Sequence, residues 1–149
     1  MNNEQTPDGI KKVASVFDNA ICNKDIAQMI SAFADDCEIE LLGLILKGKE
    51  GVQKWIDWMF SHLVSIEIEP VVIMVERNVF FEEFLVRGTL HDGRAVTSKQ
   101  AEVLIYENYK IKALRLYFDR LDFAEAVADG FISKRIVETL IKRTREGLV

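Results

Sequence analysis

No stretch of this chain approaches eighteen consecutive apolar residues, so no segment is built to span a membrane as a helix. Cysteine is scarce. Cys22 and Cys37 form no disulfide framework, and both read as small buried hydrophobes. Histidine is equally scarce. Neither His62 nor His91 stands at metal-ligand spacing from a Cys, Asp or Glu, and neither is placed to activate a serine or cysteine. A helical HExxH, a P-loop and a dinucleotide fingerprint are missing, so the sequence points to no metal and no cofactor. Positive charge is in deficit: 19 Lys and Arg face 24 Asp and Glu, for a net charge of −5, which argues against a nucleic-acid surface. One locally basic stretch, Lys134, Arg135, Lys142, Arg143 and Arg145, lies opposite Ile136, Val137, Leu140 and Ile141 on a helical pattern. It reads as a solvated helix face with cations at the favoured end of the dipole, and membrane or nucleic-acid contact is the alternative. The N-terminal MNNEQTPDG lacks the basic-then-apolar layout of a leader, so a cytoplasmic location is expected.

What is present suffices for one domain over residues 1–149, with an apolar share of 49%. A first helix runs from Pro7 to about Cys22, with Ile10, Val13, Val16, Phe17, Ala20 and Ile21 on one stripe. Asp25 and Gln28 read as a capping box for a second, short helix carrying Ile26, Met29, Ile30 and Phe33. Asp35-Asp36 is expected to stop it, with a strand from Cys37 to about Leu42 and another over Leu44–Lys47. A third helix spans about Lys49–Val64. Four strands follow: Ser65–Val75, Val79–Leu90, Ala95–Tyr106 and Lys110–Arg120. Pro70 belongs at an edge or a bulge, and Asp92-Gly93 marks a hairpin. Asp122 reads as the cap of a short helix, Gly130 as its breaker, and Ser133–Glu146 as a final helix.

Two helices feeding a strand through Phe33-Ala34-Asp35-Asp36 resemble the start of the fold shared by nuclear transport factor two, ketosteroid isomerase and the SnoaL-like polyketide cyclases. LKGKEGVQKWI, VRGTLHDGR and IKALRLYFDRLDF resemble that superfamily's third-helix entry, central hairpin and last strand, the last also being similar to limonene-epoxide hydrolases. The resemblance covers roughly residues 10 to 125. It implies an α+β, cone-shaped fold: N-terminal helices packed on a curved antiparallel sheet, with a core over about 8–125 and an extra C-terminal helical extension over 126–149. It also implies a pocket between helices and sheet, and a homodimer through the outer sheet face, where Ala101, Val103 and Ile105 point.

The family's polar positions transfer unevenly. The isomerase tyrosine on the first helix falls on Phe17, its general base on Leu41, and its second acid on Glu102. The hydrolase aspartate falls on Leu116, and its arginine-x-aspartate pair on Phe84 and Val86.

Glu102 is therefore the candidate catalytic residue. Strand alternation places Ser98, Gln100, Glu102 and Leu104 on one face, which the resemblance turns into the pocket. Surrounded by Phe17, Leu41, Trp55, Met59, Leu114, Leu116 and Phe118, its carboxyl has its pKa raised by desolvation and can serve as acid or base near neutrality. The competing readings are pairing with Arg87, or exposure through a one-residue register slip. Gln100 either orients a polar group of the ligand or bonds neighbouring backbone. Arg87 is a ligand-binding candidate needing Glu102 or Glu83 as partner, with the surface as its alternative. Of Glu82 and Glu83 one faces in and one out. Asp119 is expected to leave the pocket.

Two functions follow as expectations. One is a pocket for a small, mostly apolar, oxygenated molecule, with isomerisation or cyclisation by proton transfer through Glu102. The other is a non-catalytic ligand-binding or dimerisation module, whose pocket would be filled by Phe and Trp side chains.

Overall fold

A computed structural model describes residues 4–149; the reading of the N-terminus as leaderless rests in part on residues 1–3, outside the described residues. The first helix, α1 (Pro7–Cys22), starts where Thr6 accepts a hydrogen bond from the Gly9 N–H and Pro7 fills a first-turn position that needs no N–H donor. Its stripe buries Ile10, Ala14, Phe17, Ala20 and Ile21, while Val16 is exposed. In α2 (Ile26–Ser31) the Asp25 carboxylate accepts from the Gln28 N–H, as the sequence suggested.

The helix does not run to Asp35-Asp36. It ends at Ala32, and β1 (Phe33–Leu41) begins at once. The last strand causes the difference: the Ile111 N–H donates to the Ala32 carbonyl, and Phe33 pairs with Ile111. A bulge between Phe33 and Glu38 then carries the two aspartates to the surface, where Asp36 pairs with Lys112.

Next come β2 (Leu44–Lys47), α3 (Gly48–His62), β3 (Leu63–Glu76), β4 (Val79–Leu90), β5 (Ala95–Glu107), β6 (Lys110–Phe118), α4 (Leu121–Val127) and α5 (Gly130–Thr144). The entry to α3 needs positive φ, and Gly48 supplies it at 65°. The six strands form one sheet in the order β2-β1-β6-β5-β4-β3. It is mixed rather than purely antiparallel, because β1 runs parallel to β6. Pro70 sits on the edge strand β3 and at a register shift, so its missing N–H interrupts no inner ladder.

α1 packs on β3, and α3 packs on β1. Between them and the inner face of the sheet lies the core. At one end of it Phe17, Phe33 and Trp55 meet with ring centroids 5.5 to 6.2 Å apart. α5 begins at Gly130, three residues earlier than the periodicity suggested; it packs mainly on α4 and has no buried residue.

Candidate functional site

A cavity of about 340 Å³ opens between the helices and the inner face of the sheet. α1 contributes Asp18 and Ile21, and α3 contributes Trp55, Met59 and His62. The sheet wall includes Ile66, Phe84, Val86, Leu116 and Phe118. α4 closes one side with Phe123 and Ala126. It is held there by a polar chain: Gln100 Nε2 donates to Ser98 Oγ over 3.3 Å, and Ser98 Oγ donates to Asp122 over 2.7 Å. Asp122 is therefore a tether between α4 and β5 rather than a helix cap. The cap-like bond comes from Asp119, whose carboxylate accepts from the Leu121 N–H.

The polar floor is formed by Asp18, Glu102 and Gln100, with Glu82 behind the two acids. Asp18, Glu82 and Glu102 come from three separate elements, with carboxylate oxygens within 4.8 Å of one another. Each arrives by simple periodicity. Glu102 shares the inward face of β5 with Ser98, Gln100 and Leu104, all buried. Glu82 shares the inward face of β4 with Phe80 and Phe84, and it lies directly opposite Glu102 across the β4–β5 ladder. Asp18 falls four residues after buried Ala14 and three before buried Ile21, so α1 turns it inward.

Burial dominates the electrostatics. It pushes the Asp18 carboxyl up to about 7. Burial, then the charge of Asp18, pushes Glu82 up to about 8. Glu102 is held well above the ordinary carboxylate range by burial, then by Asp18 and Glu82. The neighbouring Tyr106 phenol is raised in the same way, by burial first and then by the three acids. Both Glu82 oxygens, the Tyr106 hydroxyl and the Trp55 indole N–H are buried without a hydrogen-bond partner among the described residues. At neutral pH such a cluster holds protons, because three adjacent carboxylates in a low-dielectric hollow cannot all ionise. Among the described residues this is the set of His, Cys, Asp or Glu side chains that could converge on an ion, and its members are too far apart in sequence for any spacing to reveal it.

Of the expected site residues, Glu102, Gln100, Trp55, Met59, Leu116 and Phe118 line the cavity. Phe17, Leu41 and Leu114 belong to the packed core instead. Arg87 is not a pocket residue. It shares the outward parity of Glu83 and Leu85 on β4, is exposed, and pairs with Glu69 on β3. Glu83 also faces outward, towards Lys99 at 3.8 Å. His62 stands at the end of α3 beside the cavity.

Sequence reasoning missed Asp18 and left Glu82 undecided. Both carried a signal, since each is an acid set within an otherwise apolar face.

A family model described as a SnoaL-like domain matches residues 13–114; the chain belongs to that family. Solved structures share the fold. An NTF2-like protein of unknown function from Burkholderia pseudomallei K96243 superimposes with a TM-score of 0.74 at 18% identity, covering 81% of this chain and 98% of its own. An LEH-like epoxide hydrolase from M. tuberculosis gives 0.68 at 17% identity, covering 89% and 96%. A candidate polyketide cyclase from Xanthomonas campestris pv. campestris gives 0.70 at 14% identity, covering 75% and 91%. No curated protein matches the sequence. No helix among the described residues is long and apolar enough to cross a membrane.

Proposed function

We propose that this SnoaL-like protein binds a small, mostly apolar, oxygenated molecule in its cavity and moves a proton on it, in an isomerisation or cyclisation. Glu102 acts as the acid or base. The observation that carries the reading is the Glu102 carboxyl, 6% exposed at the floor of an apolar cavity, with the carboxyls of Asp18 and Glu82 within 4.8 Å. A proton held there near neutrality can be donated to a carbonyl or epoxide oxygen, and the resulting carboxylate can recover it from carbon. Asp18 also lines the cavity, so it can serve as the second proton site. Structural neighbours described as an epoxide hydrolase and a candidate polyketide cyclase share the fold, and an epoxide or a polyketide is an oxygenated organic molecule.

The test is proton exchange on simple carbon acids. Conversion of 3-cyclohexenone to 2-cyclohexenone in deuterated buffer, followed by NMR, reports both proton removal and return. Glu102→Gln is expected to lower the rate at least ~100-fold while the protein stays folded. Unchanged turnover in that variant removes Glu102 from the chemistry.

The second reading is a homodimer through the outer face of the sheet. Half-buried Ala101, Val103 and Ile105 and exposed Tyr117 form an apolar strip on that face. Light scattering on the wild type and on Val103→Glu decides it: a dimer that the substitution splits supports the interface, and a wild-type monomer at high concentration removes it.

A further inference from the structure

We propose that the cavity is shaped for a ligand whose apolar body carries a positively charged nitrogen, seated on Asp18 and Glu102 with Glu82 behind them. This deepens the proposed function and rests on the same cavity being a ligand site.

The first ground is a missing countercharge. Several outward acids of the sheet have cations beside them: Glu69 has Arg87, Glu83 has Lys99 and Asp36 has Lys112. The inward acids have none among the described residues. The charges of Asp18 and Glu82 both hold the Glu102 carboxyl upward. The basic residues beside the cavity, His62 and Arg120, are both exposed at its rim.

The second ground is Glu82 itself. It is 1% exposed, both of its oxygens lack a partner among the described residues, and it points into the gap shared with Asp18 and Glu102. An unsatisfied carboxyl so placed is strongly disfavoured unless something arrives to answer it.

The third ground is the wall. Trp55, Trp58, Phe84, Phe118 and Phe123 line the cavity, and aromatic faces hold quaternary and tertiary ammonium groups through the ring quadrupole. A hard divalent ion satisfies the acids less well, because it takes six or more oxygen ligands and leaves the hydrocarbon wall unfilled. A volume of about 340 Å³ has room for an organic body as well as the charge.

A fixed positive charge must displace protons from the cluster. The titratable and charged groups around it are Asp18 and, one turn on, Cys22 on α1, Glu82 on β4, Glu102 and Tyr106 on β5, His62 at the end of α3 and Arg120 at the start of α4; β6 and α4 otherwise present Leu116, Phe118 and Phe123, and Asp122 is engaged by Ser98. When the ammonium binds, a carboxyl O–H proton leaves to the buffer and its carboxylate faces the nitrogen.

The experiment compares phenyltrimethylammonium, which cannot carry a dissociable proton on nitrogen, with its neutral carbon analogue tert-butylbenzene. Calorimetry at pH 7.5 in two buffers of different ionisation enthalpy reads affinity and proton release together. The expected result is at least ~tenfold tighter binding of the cation, release of about one proton per ligand, and affinity that rises from pH 6 to pH 7.5. The Asp18→Asn/Glu102→Gln double variant, which removes both carboxyls that seat the nitrogen, is expected to lose the preference while keeping the wild-type circular dichroism. Equal or tighter binding of the neutral analogue by the wild type, absence of proton release, or a preference that survives in the double variant overturns the inference and leaves the proton-transfer reading standing. A larger thermal stabilisation by manganese chloride than by the ammonium also overturns it, in favour of a metal site. Binding of neither organic probe overturns both readings.

Discussion

Replacing Glu82 by glutamine is predicted to stabilise the protein, increasingly so as pH rises. The ordinary value for this carboxyl is 4.5, and burial and then Asp18 push it to about 8 in the folded chain. The sign follows from proton counting. Below pH 4.5 the folded and unfolded chains both hold the proton, and the carboxyl adds no pH dependence. Between pH 4.5 and about 8 the unfolded chain releases it and the folded chain keeps it, so stability falls by about 1.4 kcal/mol for each pH step. Above that window both states are ionised and the full penalty remains, with a ceiling of about 5 kcal/mol. Glutamine keeps nearly the same shape and never ionises. The variant is therefore expected to match the wild type near pH 4.5 and to exceed it by several kcal/mol at pH 8. Water that enters the wild-type cavity on ionisation lowers the gap, and about 2 kcal/mol would still be well outside the usual range for a neutral substitution. Removing this charge also relieves Glu102, on which it acts directly. Urea unfolding of both proteins at pH 5, 6, 7 and 8 measures the gap. A gap that is flat with pH, or that widens in favour of the wild type, would falsify the account of the acid cluster.

Gly51→Ala is expected to destabilise by about 1–3 kcal/mol although alanine is the better helix former, because the new Cβ would lie 2.8 Å from the Leu46 carbonyl carbon, where α3 meets β2; thermal unfolding that shows stabilisation refutes the close packing. Tyr106→Phe is expected to be neutral, or stabilising by up to ~1 kcal/mol, since the hydroxyl is buried without a partner; a clear loss in urea unfolding would mean that the hydroxyl is bonded. Ending the chain after Asp129 is expected to shift the melting temperature by no more than ~3 °C, because α5 buries nothing and Phe131 and Ile132 are each 74% exposed; a large drop in calorimetry would show that α5 is packed in solution.

The fold was largely legible because its elements announce themselves locally. β4 and β2 have the bounds that alternation and turn residues implied, and Pro70 could only be accommodated at an edge or a bulge. The start of β1 was not legible. It depends on Ile111, almost eighty residues on, capturing Ala32 and Phe33, and a tertiary hydrogen bond overrides the stop that an aspartate pair suggests. Arg87 illustrates the limit of chemical plausibility: a cation near an expected acid looked like a partner, yet strand parity alone sends it outward with Glu83.

The acid cluster lay between these extremes. No spacing rule finds Asp18, Glu82 and Glu102, because one comes from a helix and two from different strands. The hairpin nonetheless contains most of the answer. Leu90 bonds Arg94 across the turn, so Asp92 is its centre. Counting ten residues outward from Asp92 in either direction lands on Glu82 and on Glu102, which the ladder pairs. Two acids facing each other across a ladder repel, and a sheet tolerates that pairing only where something offsets it. On a solvated face, water and salt do so. Here the pair lies on the buried face, so the offset must come from retained protons or from a ligand that brings positive charge. The position of one turn residue and the parity of two strands therefore bring two acids together on one face of the ladder, without reference to any relative.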